Sequence, residues 1–204
     1  MSAAKDPQPR FLIIPGLGGS SVEHWQTCWE RKLAHASRVE QRDWDKPQLS
    51  EWLERLDAAI RASKAPTILV AHSLGCALVA HWLARHARSN TRIQGALLVA
   101  PADLGRAGPA VHSFGPLPEL STPPPLWIAA STTDPYASLA FTQNLAALWR
   151  AKLIDVGALG HINVQSGHGQ WPEGEALLLQ LLNASRGERR KRPPHASLPL
   201  RAAS

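Results

Sequence analysis

Residues 67–71 read Thr-Ile-Leu-Val-Ala, an uninterrupted apolar run that stops at His72-Ser73 and gives way to a helical pattern over 74–86. A strand that is apolar on both faces must be covered on both faces, which is the condition of a parallel sheet between two layers of helices. The rest of the chain repeats the same alternation. Further strands are expected at 11–14, 39–42, 94–99, 126–131 and 152–154, with helices at about 22–35, 50–62, 139–149 and 173–183. Trp25, Trp29 and Leu33 lie at helical spacing, with Ser20 or Ser21 able to cap, and Trp52, Leu53, Leu56 and Ile60 share one helical face. Parallel neighbours need a crossover and the helices supply it, so the expected fold is a three-layer α/β sandwich around a mostly parallel sheet of about six strands. Residues 101–125 form the longest irregular stretch, rich in Pro and Gly, and are expected at the rim of the site.

Composition narrows the function classes. A chain of 204 residues, 44% hydrophobic, has material for one core. One domain is expected over 10–184, with a flexible N-terminus at 1–9 and a basic, disordered tail at 185–204. The net charge of +6 would suggest nucleic acid if it were spread over the body, but it is not. From Ser185 onward Arg186, Arg189, Arg190, Lys191, Arg192 and Arg201 face the single acid Glu188, which leaves the body at +1. The tail is read as a solvated segment with no specific nucleic-acid role, and its removal after residue 183 or 184 is expected to cost little. No stretch of eighteen apolar residues occurs and the N-terminus is polar, so neither a membrane span nor a signal peptide is expected and the location is read as cytoplasmic. Two cysteines without metal-ligand spacing give no reason to expect a metal, a disulfide or a cofactor. Most of the eight tryptophans are read as core or surface-cover residues, with one or two able to line an acyl pocket.

The chemistry lies at the end of the 67–71 run. Ala71-His72-Ser73-Leu74-Gly75 is a G-x-S-x-G pattern with Ala for the first Gly. In that pattern a sharp strand-to-helix turn exposes the serine hydroxyl, and small flanking residues leave room for the turn. The amide of Leu74, at the positive end of the following helix, is then one donor for a developing oxyanion. The second is expected from the glycine-rich loop after the first strand, Pro15-Gly16-Leu17-Gly18-Gly19, at Leu17. That loop lacks the Gly-Lys-Ser/Thr of a phosphate loop and the G-x-G-x-x-G of a dinucleotide site.

A serine hydroxyl needs a base to take its proton and an acid to orient that base. The order Ser, Asp, His is met by Ser73, by Asp134 just past the 126–131 strand, and by His161 past the last strand. Competing candidates are less well placed. Asp103 comes one strand early, and His168 lies in a Ser-Gly-His-Gly loop farther from its strand end. His72 is next to Ser73 and is read as packing or gate, because adjacent residues on the turn point apart. Cys76 is read as a small apolar helix residue rather than a thiol nucleophile.

These residues resemble a known group, the small serine hydrolases of the retinoblastoma-binding protein 9 and YdeN type in the α/β-hydrolase superfamily. The resemblance spans about residues 11–182 and is carried by six segments besides the turn at Ser73. They are Pro-Gly-Leu-Gly-Gly-Ser at 15–20, Asp43-Trp44 ahead of Pro47, Val99-Ala100-Pro101-Ala102-Asp103, Asp134-Pro135-Tyr136, Gly160-His161-Ile162-Asn163 and Trp171-Pro172. It implies a minimal hydrolase without a large cap, an open shallow site, and the same assignment of Ser73, Asp134 and His161 as nucleophile, acid and base. The implied activity is hydrolysis of small ester or amide substrates through an acyl-enzyme, with no natural substrate specified and the oligomeric state left open. The alternative is a catalytically silent hydrolase fold used as a protein-binding module. Against it, the three positions are chemically intact and no L-x-C-x-E segment occurs, since Leu74-Gly75-Cys76-Ala77-Leu78 lacks the acid.

Overall fold

The computed structural model describes residues 8–86 and 92–191. Its strands are β1 (Arg10–Ile14), β2 (Ala36–Arg38), β3 (Thr67–His72), β4 (Ile93–Val99), β5 (Leu126–Ala130) and β6 (Lys152–Asp155). The helices are α1 (Trp25–Lys32), α2 (Leu49–Arg61), α3 (Leu74–His86), α4 (Leu139–Leu148) and α5 (Pro172–Lys191), with short 3-10 turns at Pro109–Phe114 and Val164–Ser166. The six strands form one sheet in the order β2-β1-β3-β4-β5-β6, and every neighbouring pair is parallel.

Period-two alternation along the strands divides the core in two. Leu12, Ile14, Leu69, Ala71, Ala96, Leu98, Ile128 and Ala130 face α2, α3 and α4, where Trp52, Trp82 and Trp149 are fully buried. Phe11, Ile13, Ile68, Val70, Leu97, Val99 and Ala129 face α1 and α5, where Trp25, Trp29 and Trp171 pack on one another. Burial on both faces is why these strands lack polar alternation. At the other end of β1, Arg10 donates from Nη2 to the Ala59 and Ile60 carbonyls at the C-terminus of α2, satisfying acceptors that a helix end leaves free.

The chain leaves β1 for β2 on one side and then crosses to β3 on the other. Ligands of open α/β sheets bind at such a reversal, outside the carboxyl ends of the strands. Here that crevice lies between the carboxyl ends of β1 and β3, where the glycine-rich loop and Ser73 are found.

Three expected boundaries move. The second strand is 36–38, not 39–42, because this edge strand pairs only with β1 and the apolar Val39 marks its exit into the core. Helix α1 starts at Trp25 rather than near Val22, because His24 is its cap, accepting from the Gln26 amide at Nδ1, while the Ser20 hydroxyl is spent on Gln26 Oε1. The closing helix continues past residue 183 to Lys191, so the start of the expected disordered tail is helical. Ser185 is buried, donates to the Leu181 carbonyl, and sits where a Cβ on Gly95 would come within 3.0 Å of its Oγ. Residues 1–7 and 192–204, the remainder of the two terminal segments, lie outside the described residues.

Deleting everything after Asn183 therefore removes a packed residue and two helical turns. A loss of about 1 kcal/mol is expected, seen as a fall in Tm of roughly 2–4 °C. An unchanged melting curve would show that Ser185 contributes nothing.

Candidate active site

Strand β3 ends at His72, and Ser73 adopts φ +54°, a left-handed conformation that side-chain-bearing residues rarely take. Such a backbone costs about 1–3 kcal/mol and persists only when its surroundings impose it. Here the Ser73 amide donates to the Val99 carbonyl of β4, and α3 starts at the next residue. The packing around the turn leaves no space for side chains. A Cβ on Gly16 would lie 2.9 Å from Ser73 Cβ and 3.1 Å from the Leu74 nitrogen, and one on Gly75 would run into the Ile14 and Pro15 carbonyls. The loop after β1 thus lies directly against the serine turn.

The loops after β5 and β6 bring in the other two groups. Asp134 follows β5 and His161 follows β6, and the two loops are tied together. Ser131 Oγ accepts from the Leu159 amide at 2.9 Å, Thr133 Oγ1 from Gly160 at 3.0 Å, and the Gly157 carbonyl from Thr132 at 2.9 Å. His161 Nδ1 lies 2.9 and 3.0 Å from the two Asp134 oxygens, and its Nε2 lies 3.0 Å from Ser73 Oγ. A carboxylate only accepts, so the proton sits on Nδ1 and Nε2 is free to receive the serine proton. Both side chains of the pair are buried, which shields it from water and salt. Tyr136, whose amide donates to Asp134 Oδ1, sets its ring edge-on to His161 at 4.5 Å.

Ser73, Asp134 and His161 thus form one continuous chain of hydrogen bonds. Leu74 opens α3 and Leu17 lies in the loop against it, and neither amide has a hydrogen-bond partner among the described residues. Two other sites of the sequence reading are occupied elsewhere. Asp103 accepts from the Gly105 amide and pairs with Arg106, while His168 Nδ1 meets Ser166 Oγ and its ring faces Trp171. The Cys76 thiol is fully buried, and burial pushes its pKa up, away from the reactive thiolate. Only the first part of the 101–125 loop reaches the rim, where the Asp103 amide donates to the Tyr136 carbonyl. Farther on it covers the α2–α3–α4 face, with Phe114 against Trp52 and its carbonyl 2.6 Å from His81 Nε2.

Sequence reasoning missed the polar groups beneath the site. Gln26 is fully buried and donates to the Ile14 and Val70 carbonyls, bridging β1 and β3. His24 packs on His72, and His72 packs on His161. Histidine is outside the usual set of helix caps, so nothing at 24 flagged it.

Residues 11–180 match the family described as serine hydrolase. The chain belongs to that family. YdeN of Bacillus subtilis (strain 168) is 26% identical over 175 residues, 80% of this chain and 90% of its own. The solved structure of the ydeN gene product superposes with a TM-score of 0.73 over 86% of this chain and all of that one. A YdeN-like protein of Pectobacterium atrosepticum is 32% identical, covers 91% of this chain and 94% of its own, and gives a TM-score of 0.73. The α/β hydrolase domain-containing protein 10 from mouse, at 13% identity and TM-score 0.63, shares the fold. This serine hydrolase therefore has the α/β-hydrolase fold, with a six-stranded all-parallel sheet and no large cap among the described residues. No helix among them is long and apolar enough to cross a membrane.

The buried histidines set a pH dependence of stability. Burial, then Arg38, then His161 push the His24 pKa from 6.5 down to about 4. As pH falls, the unfolded chain takes up its proton near 6.5 while the folded chain resists until about 4. The stabilisation is complete above 6.5 and is lost across that window, amounting to about 2 kcal/mol by pH 5. Calorimetry should show Tm falling between pH 7 and 5. His24→Asn, which keeps an acceptor for the cap, should flatten that fall while lowering Tm at pH 7. An unchanged slope in the variant would exclude His24 as its source.

Proposed function

We propose that the protein hydrolyses small ester or amide substrates through an acyl-enzyme on Ser73. The observation that carries this reading is the unbroken hydrogen-bond chain Ser73 Oγ–His161 Nε2 and His161 Nδ1–Asp134, at 3.0 and 2.9 Å, on a serine in left-handed backbone conformation. As Oγ attacks the substrate carbonyl carbon, its proton passes to His161 Nε2. Asp134 stabilises the imidazolium and holds the ring in the tautomer that leaves Nε2 free. The negative charge on the former carbonyl oxygen is taken by the Leu17 and Leu74 amides. Donors of this kind act because they point at charge only as it develops. Collapse of the intermediate expels the alcohol or amine, which leaves with the proton from Nε2. Water, deprotonated by the same nitrogen, then releases the acid and restores Ser73. The serine is partly exposed, and 101–125 adds only the 3-10 turn at Pro109–Phe114 rather than an inserted cap domain, which supports an open site that a small ester or amide can reach directly.

A fluorophosphonate probe and one activated ester test the reading. Wild-type protein should label and turn over, and Ser73→Ala should do neither while keeping its fold. His161→Ala and Asp134→Asn should lower kcat by on the order of 10³-fold or more, since loss of one triad member leaves only the oxyanion donors and binding. His168→Ala should stay within roughly tenfold, about 1.4 kcal/mol. Labelling that survives in Ser73→Ala, or a collapse in His168→Ala with full activity in His161→Ala, would overturn the assignment. A wild-type protein that neither labels nor turns over would instead favour a silent binding module.

A further inference from the structure

The loop that carries His161 has little regular structure of its own. Gly160 and Ile162, on either side of the histidine, both take left-handed backbone, at φ 58° and 48°. Asp134 orients the ring, but other groups must hold the backbone from which the ring projects. Two successive carbonyls are gripped by side chains from different elements. The Ile162 carbonyl accepts from Trp25 Nε1 at 2.8 Å, and the His161 carbonyl lies 2.9 Å from His72 Nε2. A carbonyl oxygen only accepts, so His72 Nε2 bears the hydrogen in this contact. His72 is buried, and its ring lies 4.8 Å from that of His161 and 4.9 Å from that of His24, with Trp25 edge-on at 5.9 Å.

We propose that His72 is a positioning residue for His161, a neutral donor that holds the backbone carbonyl of the base. The inference rests on His161 being the base. Neutrality is part of the role. When His161 takes up the serine proton it becomes positive, and a second charge on a ring 4.8 Å away would oppose that transfer. The surroundings keep His72 uncharged. Burial pushes its pKa well down, and His161 and His24 push the same way against the one raising contact, the His161 carbonyl. The ionisable groups packed on it are His161 from the loop after β6 and His24 from the start of α1. Arg38 at the end of β2 disfavours charge on His24. Ser73 and His72 are consecutive, so one strand end supplies both the hydroxyl that meets Nε2 of the base and the donor that meets its backbone carbonyl.

Two substitutions separate positioning from packing. His72→Leu keeps apolar bulk and removes the donor, whereas a Gln at 72 can present an N–H near the place of Nε2. With active sites counted by fluorophosphonate titration, His72→Leu should lower kcat per titrated serine about 30- to 100-fold, the scale of a base misplaced by about 1 Å. KM should stay within about threefold, and His72→Gln should recover kcat to within about fivefold, on the same scale. A packing role would reduce the number of titrated sites without changing kcat per site. That result, or a Gln variant as slow as the Leu variant, would overturn the proposal.

Nitrogen-15 spectra of histidine in the wild-type full chain give a readout that needs neither folding of a variant nor activity. Between pH 5.5 and 8 His72 should remain the neutral tautomer with hydrogen on Nε2. An imidazolium, or hydrogen on Nδ1, would overturn the proposal by itself. Because the spectrum does not depend on turnover, failure of the hydrolase reading and failure of this one are told apart.

Discussion

The site depends on one backbone constraint, the left-handed conformation of Ser73 at the point where β3 becomes α3. That conformation lifts the hydroxyl over the sheet instead of letting it continue the strand into the core. It is costly, and the surrounding contacts impose it: the Ser73 amide on the Val99 carbonyl, the helix that starts at Leu74, and the chain of β1 pressed against Gly75. Glycine at 16 and 75 follows from this closeness, since at either place a methyl group would meet backbone atoms of the neighbouring segment. The same contact puts the Leu17 and Leu74 amides on adjoining segments beside one serine.

Around that point the carboxyl ends of the strands are joined by buried polar side chains. Gln26 spans the Ile14 and Val70 carbonyls, Ser131 holds the loop after β6 with help from the exposed Thr133, and Trp25 and His72 hold the successive carbonyls of Ile162 and His161. Each of the buried groups among them would cost free energy without a partner, so the network is self-consistent only when all the loops are in place. This makes the loops after β1, β5 and β6 one cooperative unit, although β6 lies at the sheet edge and four strands from β1. The two apolar cores beneath supply the rigid floor, with three tryptophans fully buried on the α2–α3–α4 face and three packed together on the other.

How much of this could be read in advance varied with the kind of signal. The 67–71 run and the helical pattern after it announced strand, turn and helix because burial on both faces and the change of period are local properties. The order Ser, Asp, His pointed to Ser73, Asp134 and His161 because each follows a strand end, and the geometry brings those three side chains together. Edge strand β2 was misplaced by three residues because it has no apolar run of its own and exists only through pairing with β1. The closing helix was ended too early because a charged, polar stretch gives no hint that Ser185 will be buried against Gly95.

The sequence by itself determined the class of fold and the identity and succession of the three candidate side chains, Ser73, Asp134 and His161, since these depend on residue type and local period. Only the tertiary structure decided that His24 caps α1, that the rings of His24, His72 and His161 pack in series, and that Gln26 bridges two strands. The physical reason is that a buried polar side chain is selected by the partner it meets. Those partners lie up to 141 residues away, as Trp29 and Gln170 do, where no pattern in the neighbouring sequence can reveal them.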